Sequence, residues 1–245
     1  MRERAYADIR QLEEAHWWYQ GTRAVYRSLL RRYVPHAVGP VLDVGCGSGG
    51  NLALLSDWGQ VIGLDPWHPA LRACPGGKAY LSQGDARALP FADGTFKLVA
   101  MLGVLEHVTD DTTVLREARR VCRPGGAILL LTSAFMFLWS QHDEANRHVT
   151  RYTAGELRAR ATGAGLRVRT LSYQNAFLFP LVAAVRLLQR LRPPRGRSEE
   201  PRIDMFPMPE PANSALAGLL AFEGRLMARG IRFPAGVSLV AVLER

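Results

Sequence analysis

The chain has 245 residues, 48% hydrophobic and 22% charged, which excludes a disordered tail, a collagen or a disulfide miniprotein and predicts one large domain with a sizeable core. Its longest nearly unbroken apolar stretch, Ala176 to Val185, falls short of the roughly 18 residues that cross a bilayer, and the charged start Met1-Arg2-Glu3-Arg4 carries no apolar export signal, so a cytoplasmic protein is expected. The net charge of +9, from 31 basic against 22 acidic residues, suits either an anionic partner or a solvated arginine-rich surface, and Cys46, Cys74 and Cys122 lack metal-ligand spacing and fit reduced thiols.

Before residue 38, steps of three and four from Ile9 pick out Leu12, His16, Tyr19, Arg23, Tyr26, Leu30 and Tyr33, which predicts a single helix. His16 and Arg23 interrupt its apolar stripe, so they either snorkel at the edge or face a polar pocket. From Pro40 to Thr132, the apolar runs Val41 to Val44, Val61 to Leu64, Ala79 to Leu81, Leu98 to Val104 and Ala127 to Leu131 alternate with helical or turn segments, the pattern of parallel strands with crossovers. A helix from Asp110 to Val121 ends at Pro124-Gly125-Gly126, which turns the chain into the next strand. Sixth and seventh strands are expected near Leu166 to Tyr173 and Val237 to Leu243. Between them lie helix-like segments at Ala176 to Leu191, kinked by Pro180, and at Ser214 to Ala228, joined by the proline-rich stretch Pro193 to Pro211.

The strongest chemical signal is Val41-Leu42-Asp43-Val44-Gly45-Cys46-Gly47-Ser48-Gly49-Gly50, an apolar strand entering a glycine turn, with Asn51 opening a helix. Gly45, Gly47 and Gly50 satisfy a dinucleotide fingerprint, and Asp65 stands about 20 residues on to hold ribose hydroxyls, so a nicotinamide oxidoreductase is one alternative. Asp43 inside the strand, the tighter Gly45, Gly47, Gly49 register and Gly84-Asp85-Ala86 after the third strand point instead to S-adenosylmethionine. That cofactor has no pyrophosphate to cradle, and Asp43 suits its ammonium group.

Through these motifs, with Leu105-Glu106-His107-Val108 and Arg123-Pro124-Gly125-Gly126, residues 38 to 135 resemble the class I S-adenosylmethionine-dependent methyltransferases. The resemblance implies an α/β, Rossmann-like seven-stranded sheet of order 3-2-1-4-5-7-6 with strand 7 antiparallel, forming one domain. Its parts would be a lid helix (1–37), a cofactor-binding core (38–135), an acceptor loop with strand 6 (136–173), a helical insertion (174–235) and the last strand (236–245). It also implies that Gly45, Cys46, Gly47, Gly49 and Asn51 line the cofactor, that Asp65 takes the ribose, that Pro66 and Trp67 flank the adenine, that Asp85 and Ala86 read it, and that Leu102, Gly103 and His107 lie near the sulfonium. Lys97 departs from the family's usual Asp after Phe96. His16-Trp17-Trp18-Tyr19 is similar to a subgroup whose first helix crosses the cleft, which makes Tyr19 and Arg23 candidates for the cofactor carboxylate; Trp17 and Trp18 serve the lid or simply pack.

His142, Asp143 and His148 follow the fifth strand, where open α/β sheets bind ligands, and read as a catalytic base (His142 first, His148 as the backup) with its orienter, as a structural His-Asp bond, or as a metal site. Glu106-His107 resembles the Glu-x-x-Glu-His metal motif of ubiquinone-pathway O-methyltransferases, but Gly103 replaces its first acid, so no metal is expected. The Asn/Asp-Pro-Pro-aromatic motif of base-modifying enzymes is replaced by Met101-Leu102-Gly103-Val104, so no nucleic acid is expected. The expected reaction is methyl transfer to a small-molecule or lipid-like acceptor at oxygen, yielding S-adenosylhomocysteine; a quinone or isoprenoid carbon is second, and a cofactor-binding protein without catalysis is a third class. The apolar insertion with Arg186, Arg190, Arg192, Arg195 and Arg197 either packs on the sheet or forms an acceptor pocket or a peripheral surface at the inner face of a membrane.

Overall fold

A computed structural model describes residues 12–35, 39–75, 77, 79–191 and 208–245, with 190 and 191 described by backbone alone. Seven strands form one sheet of order β3-β2-β1-β4-β5-β7-β6: β1 Val41–Val44, β2 Val61–Asp65, β3 Tyr80–Gln83, β4 Phe96–Leu102, β5 Cys122–Ser133, β6 Arg167–Gln174 and β7 Ser238–Glu244. The first five pair in parallel, while β7 runs antiparallel between β5 and β6, as expected. Period-two alternation divides the central strands. Leu42, Val44, Val99 and Met101 face one apolar layer, and Val41, Leu98 and Ala100 face the other, so both sides are covered and the strands read as continuous apolar runs.

The helices are α1 Trp17–Tyr33, α2 Leu52–Leu55, α3 His68–Ala73, α4 Asp111–Val121, α5 Gln141–Asn146, α6 Ala154–Gly163, α7 Phe179–Leu191 and α8 Glu210–Ala228. α4 and α6 flank one layer, whereas α1, α2 and the end of α8 cover the other. Because β1, β4, β5 and β6 share a direction, their carboxyl ends deliver Gly45, Gly103, Ser133 and Asn175 to the same end of the sheet.

Three local expectations are corrected. The leading segment is not one continuous helix: residues 12–15 form a turn of helix, His16 takes extended angles, and α1 starts afresh at Trp17. The break is stabilised because the His16 ring nitrogen Nδ1 accepts the Trp18 N–H at 3.2 Å, and Asn213 of α8 accepts the Trp17 N–H at 2.7 Å, so the donors that a helix start leaves open find partners; Ile9 lies outside the described residues. Pro124-Gly125-Gly126 does not separate α4 from its strand, since β5 already begins at Cys122 and carries these residues in an irregularity between the Phe96 and Leu98 pairings, with Gly125 at φ +68°. Finally, Pro180 kinks nothing, because α7 starts at Phe179 and leaves the proline in the first turn, where its missing N–H costs no hydrogen bond.

α1 and α8 come into unusually close contact. A methyl group on Gly21 would lie 2.5 Å from the Leu220 Cβ, and one on Gly224 would lie 2.7 Å from the Val25 Cα. Gln174 at the end of β6 donates to the Thr22 hydroxyl at 2.9 Å, and the buried Glu223 carboxylate of α8 accepts the N–H groups of Asn175 and Phe177 at 2.7 and 3.0 Å. Gly224→Ala is therefore expected to destabilise the protein by about 1–3 kcal/mol through overpacking. Gly218→Ala, with nothing within 4 Å of the added methyl, should instead stabilise by about 0.5–1 kcal/mol. Thermal denaturation of the two variants, with Tm moving in opposite directions, checks the clamp.

Candidate functional site

The turn after β1 is built by glycines with left-handed backbone angles, Gly45, Gly47 and Gly49 at φ +71°, +54° and +84°, a conformation that costs other residues energy. Asp65 at the end of β2 holds this turn from below, its Oδ2 accepting the Gly47 N–H at 2.9 Å and its Oδ1 accepting the Trp67 N–H at 2.8 Å. Asp43 is buried inside β1, and its Oδ2 has no hydrogen-bond partner. Burial first, then neighbouring Cys74, Asp65 and Glu13, push its pKa up to about 8. A buried anion without a partner is costly, so this carboxyl keeps its proton up to about pH 8.

Above the turn lies a cavity of about 750 Å³. It brings together Tyr19 and Arg23 of α1, Gly45, Cys46, Gly47 and Asn51 of the turn, Leu102, Gly103 and His107 after β4, and His142 and His148 after β5. Asp43, Gly49, Asp65, Pro66, Trp67, Asp85, Ala86 and Asp143 do not line it. Of these, Pro66 and Trp67 are exposed, and Asp85 is engaged by its neighbour Arg87, with guanidinium nitrogens 2.5–3.1 Å from its oxygens, which lowers its pKa. The three residues expected after β5 divide unevenly. Asp143 is fully buried and accepts from Arg151 at 2.8 and 3.1 Å, from the Ser140 N–H at 2.8 Å, and pairs with the His148 Nδ1 at 2.8 Å. Its burial alone would raise its pKa, but the His148 and Arg151 hydrogen bonds hold it well below the ordinary carboxylate range. His148 thus has the carboxylate partner, and the His142 and His107 rings stand edge-on to it at centroid distances of 6.2 and 4.7 Å.

Further lining residues have partners that are distant in the chain. Glu106 is buried and accepts from the hydroxyls of Thr132 at 2.8 Å and Ser133 at 3.3 Å. Asn175 has left-handed angles at φ +59°, and its buried Oδ1 lacks a partner. The far wall is apolar: Leu178 just before α7, Leu181 and Val182 of α7, and Leu216 of α8, with Arg186 of α7 also lining it. The insertion therefore builds a wall of the cavity while α8 packs on α1; Arg192, Arg195 and Arg197 lie outside the described residues, as does the side chain of Arg190. Among the described residues no group of three or more His, Cys, Asp or Glu could hold a metal ion, and no helix is long and apolar enough to cross a membrane.

Residues 42–130 match the family model described as a methyltransferase domain. Two demethylmenaquinone methyltransferases are similar: one from Roseiflexus castenholzii is 37% identical over 107 residues, covering 41% of this chain and 45% of that protein. The other, from a Roseiflexus species, is 33% identical over 156 residues, covering 60% of this chain and 63% of that protein. The chain thus spans between about half and two thirds of the length of these relatives. Among solved structures, the methyltransferase bound to the Trm112 activator of Haloferax volcanii superposes with a TM-score of 0.61 at 20% identity, covering 98% of this chain and 93% of that one.

The Asp43 carboxyl generates a prediction that needs no ligand. Its folded pKa lies above the unfolded value near 4, so the folded state holds the extra proton between those limits and stability falls as pH rises from about 4 toward about 8. Asp43→Asn removes this penalty. Its Tm should exceed that of the parent chain by a margin that widens from pH 5.5 to pH 8.5, measured on the unliganded protein; a constant or inverted margin would contradict the raised pKa.

Proposed function

Because this chain carries a class I S-adenosylmethionine-dependent methyltransferase domain, we propose that it transfers a methyl group from S-adenosylmethionine to the hydroxyl oxygen of an amphipathic small molecule. One observation carries this reading: a single cavity joins the left-handed glycine turn to the His148 imidazole and to an apolar wall from α7 and α8. The residues fit the cofactor. Asp43 offers a buried carboxyl with an unsatisfied oxygen beside the turn for an ammonium group, a side chain at Gly47 would meet nothing within 4 Å, and Arg23 and Tyr19 of the lining would take the carboxylate, while Asp65, bonded to the turn rather than lining the cavity, would reach the ribose from its edge. Bound there, the cofactor supplies a methyl group on a sulfonium whose thioether is a ready leaving group.

The chain's own contribution is orientation and proton removal. With its Nδ1 proton directed to Asp143, His148 presents Nε2 as a lone pair for an acceptor hydroxyl, and Arg151 keeps Asp143 ionised. A quinol ring carbon is the second reading, favoured by the demethylmenaquinone methyltransferase relatives; the same imidazole would remove the ring hydroxyl's proton and so enrich the neighbouring carbon. The nicotinamide alternative is disfavoured because β7 lies antiparallel between β5 and β6, unlike the 3-2-1-4-5-6 order of dinucleotide-binding sheets.

Calorimetric titration with S-adenosylhomocysteine and with NAD, then labelled S-adenosylmethionine with hydroxylated and prenylated hydroquinone acceptors, tests the proposal; binding of NAD alone would end it, and NMR of the product separates oxygen from carbon. His148→Ala should lower kcat by about 10² to 10⁴ while S-adenosylhomocysteine affinity stays within twofold. The exposed α7 residues Leu181, Leu187 and Leu188, beside Arg186, also support peripheral contact with an anionic bilayer. The parent chain should float with phosphatidylglycerol vesicles at low salt, and the Leu187→Ser, Leu188→Ser double variant should not.

A further inference from the structure

Three carboxylates surround the glycine turn, and the mechanism uses only two of them. The third, Glu13, comes from the helical turn 12–15 and lines the cavity. Its carboxylate accepts the buried Ser48 hydroxyl at 2.6 Å, and a methyl on Gly50 would lie 2.7 Å from its Oε2, so it rests directly on the turn. Its backbone carbonyl meanwhile accepts Arg23 Nη2 at 2.8 Å. One residue thereby sets an anion on the turn and holds a cation beside it on the same cavity wall. Glu13 also contributes to the rise in the Asp43 pKa, so the two carboxylates share one field, and the Asp43 Oδ2 is buried without a partner. A negative and a positive group side by side match the zwitterion of an α-amino acid, with hydrogen bonds to charged groups on both sides.

We propose that Glu13 is a specificity-determining residue for the amino-acid end of the cofactor, its carboxylate pairing with the ammonium group while Arg23 takes the carboxylate. This rests on the reading of the cavity as an S-adenosylmethionine site. A competing role, in which Glu13 only buttresses the turn through Ser48, makes a different prediction: the shape of the turn matters to every adenosyl ligand, whereas a charge partner matters only to ligands that carry the amino acid.

The experiment is calorimetric titration of the parent chain, Glu13→Gln and Ser48→Ala with three probes: S-adenosylhomocysteine, its decarboxylated analogue, which keeps the ammonium group, and 5′-methylthioadenosine, which lacks the amino-acid end. Glu13→Gln should weaken S-adenosylhomocysteine and the decarboxylated analogue by about 10-fold to 100-fold, the range of a hydrogen bond to a charged group, and leave 5′-methylthioadenosine within twofold. Ser48→Ala should change all three by less than about threefold. Equal losses for all three probes in Glu13→Gln, or no loss for S-adenosylhomocysteine, would overturn the proposal and leave Glu13 as a buttress. If the parent chain binds none of the probes, the cofactor reading itself fails, which is a separate outcome.

Discussion

The cavity depends on the contact between α1 and α8. α1 precedes the sheet and α8 follows six of its strands, yet Gly21 and Gly224 let the two backbones approach as neither alanine nor a larger residue would. Polar bonds fix the contact in direction. Asn213 satisfies the start of α1 through the Trp17 N–H and reaches back to the Ala15 carbonyl, and Glu223 ties α8 to the turn after β6. The roof formed by Tyr19 and Arg23 is thereby held over the glycine turn by a helix nearly 200 residues further along the chain, with Asn213 and Trp17 196 positions apart. A loosely attached first helix would leave the site open to water, and both the field of its carboxylates and the reactivity of its imidazole would weaken in the higher dielectric.

Charge within the cavity is sorted by position. Glu13, Asp43 and Asp65 surround the turn after β1, whereas Asp143, buried beyond β5, is matched by Arg151. Carboxyl groups therefore gather around the glycine turn, whereas the carboxylate in the half of the cavity beyond β5 is matched by a guanidinium.

The sheet and the turn were legible in the sequence because their causes are local. Left-handed glycines, period-two alternation and the Asp65 spacing each act over a few residues, and β1 falls at Val41–Val44 as the apolar run predicts. What escaped has causes far away. His16 breaks the first helix because Asn213 accepts from the next residue, and Asp143 serves His148 because Arg151, eight positions on, folds back onto the same carboxylate. Glu13 and Asn175 carry no motif at all, and their neighbours Ser48 and Glu223 lie 35 and 48 positions away. Proline misled for a different reason: at Pro180 its ring is compatible with a helix start, and periodicity alone does not reveal where a helix begins.

The position of β7 bears on how the protein is made. β6 has no bond to β5, and it joins the sheet only through β7, which is paired to both and is synthesised more than 60 residues later, since Val168 pairs with Leu243. During translation the first five strands can assemble in order, but β6 must wait with an open edge, and α8 reaches α1 only at about the same time. Pairings of such long sequence separation form slowly and leave strand edges exposed meanwhile. The nascent chain therefore holds a finished glycine turn under an unfinished roof until its last strand emerges from the ribosome, and that interval is when chaperone capture or aggregation would compete with folding.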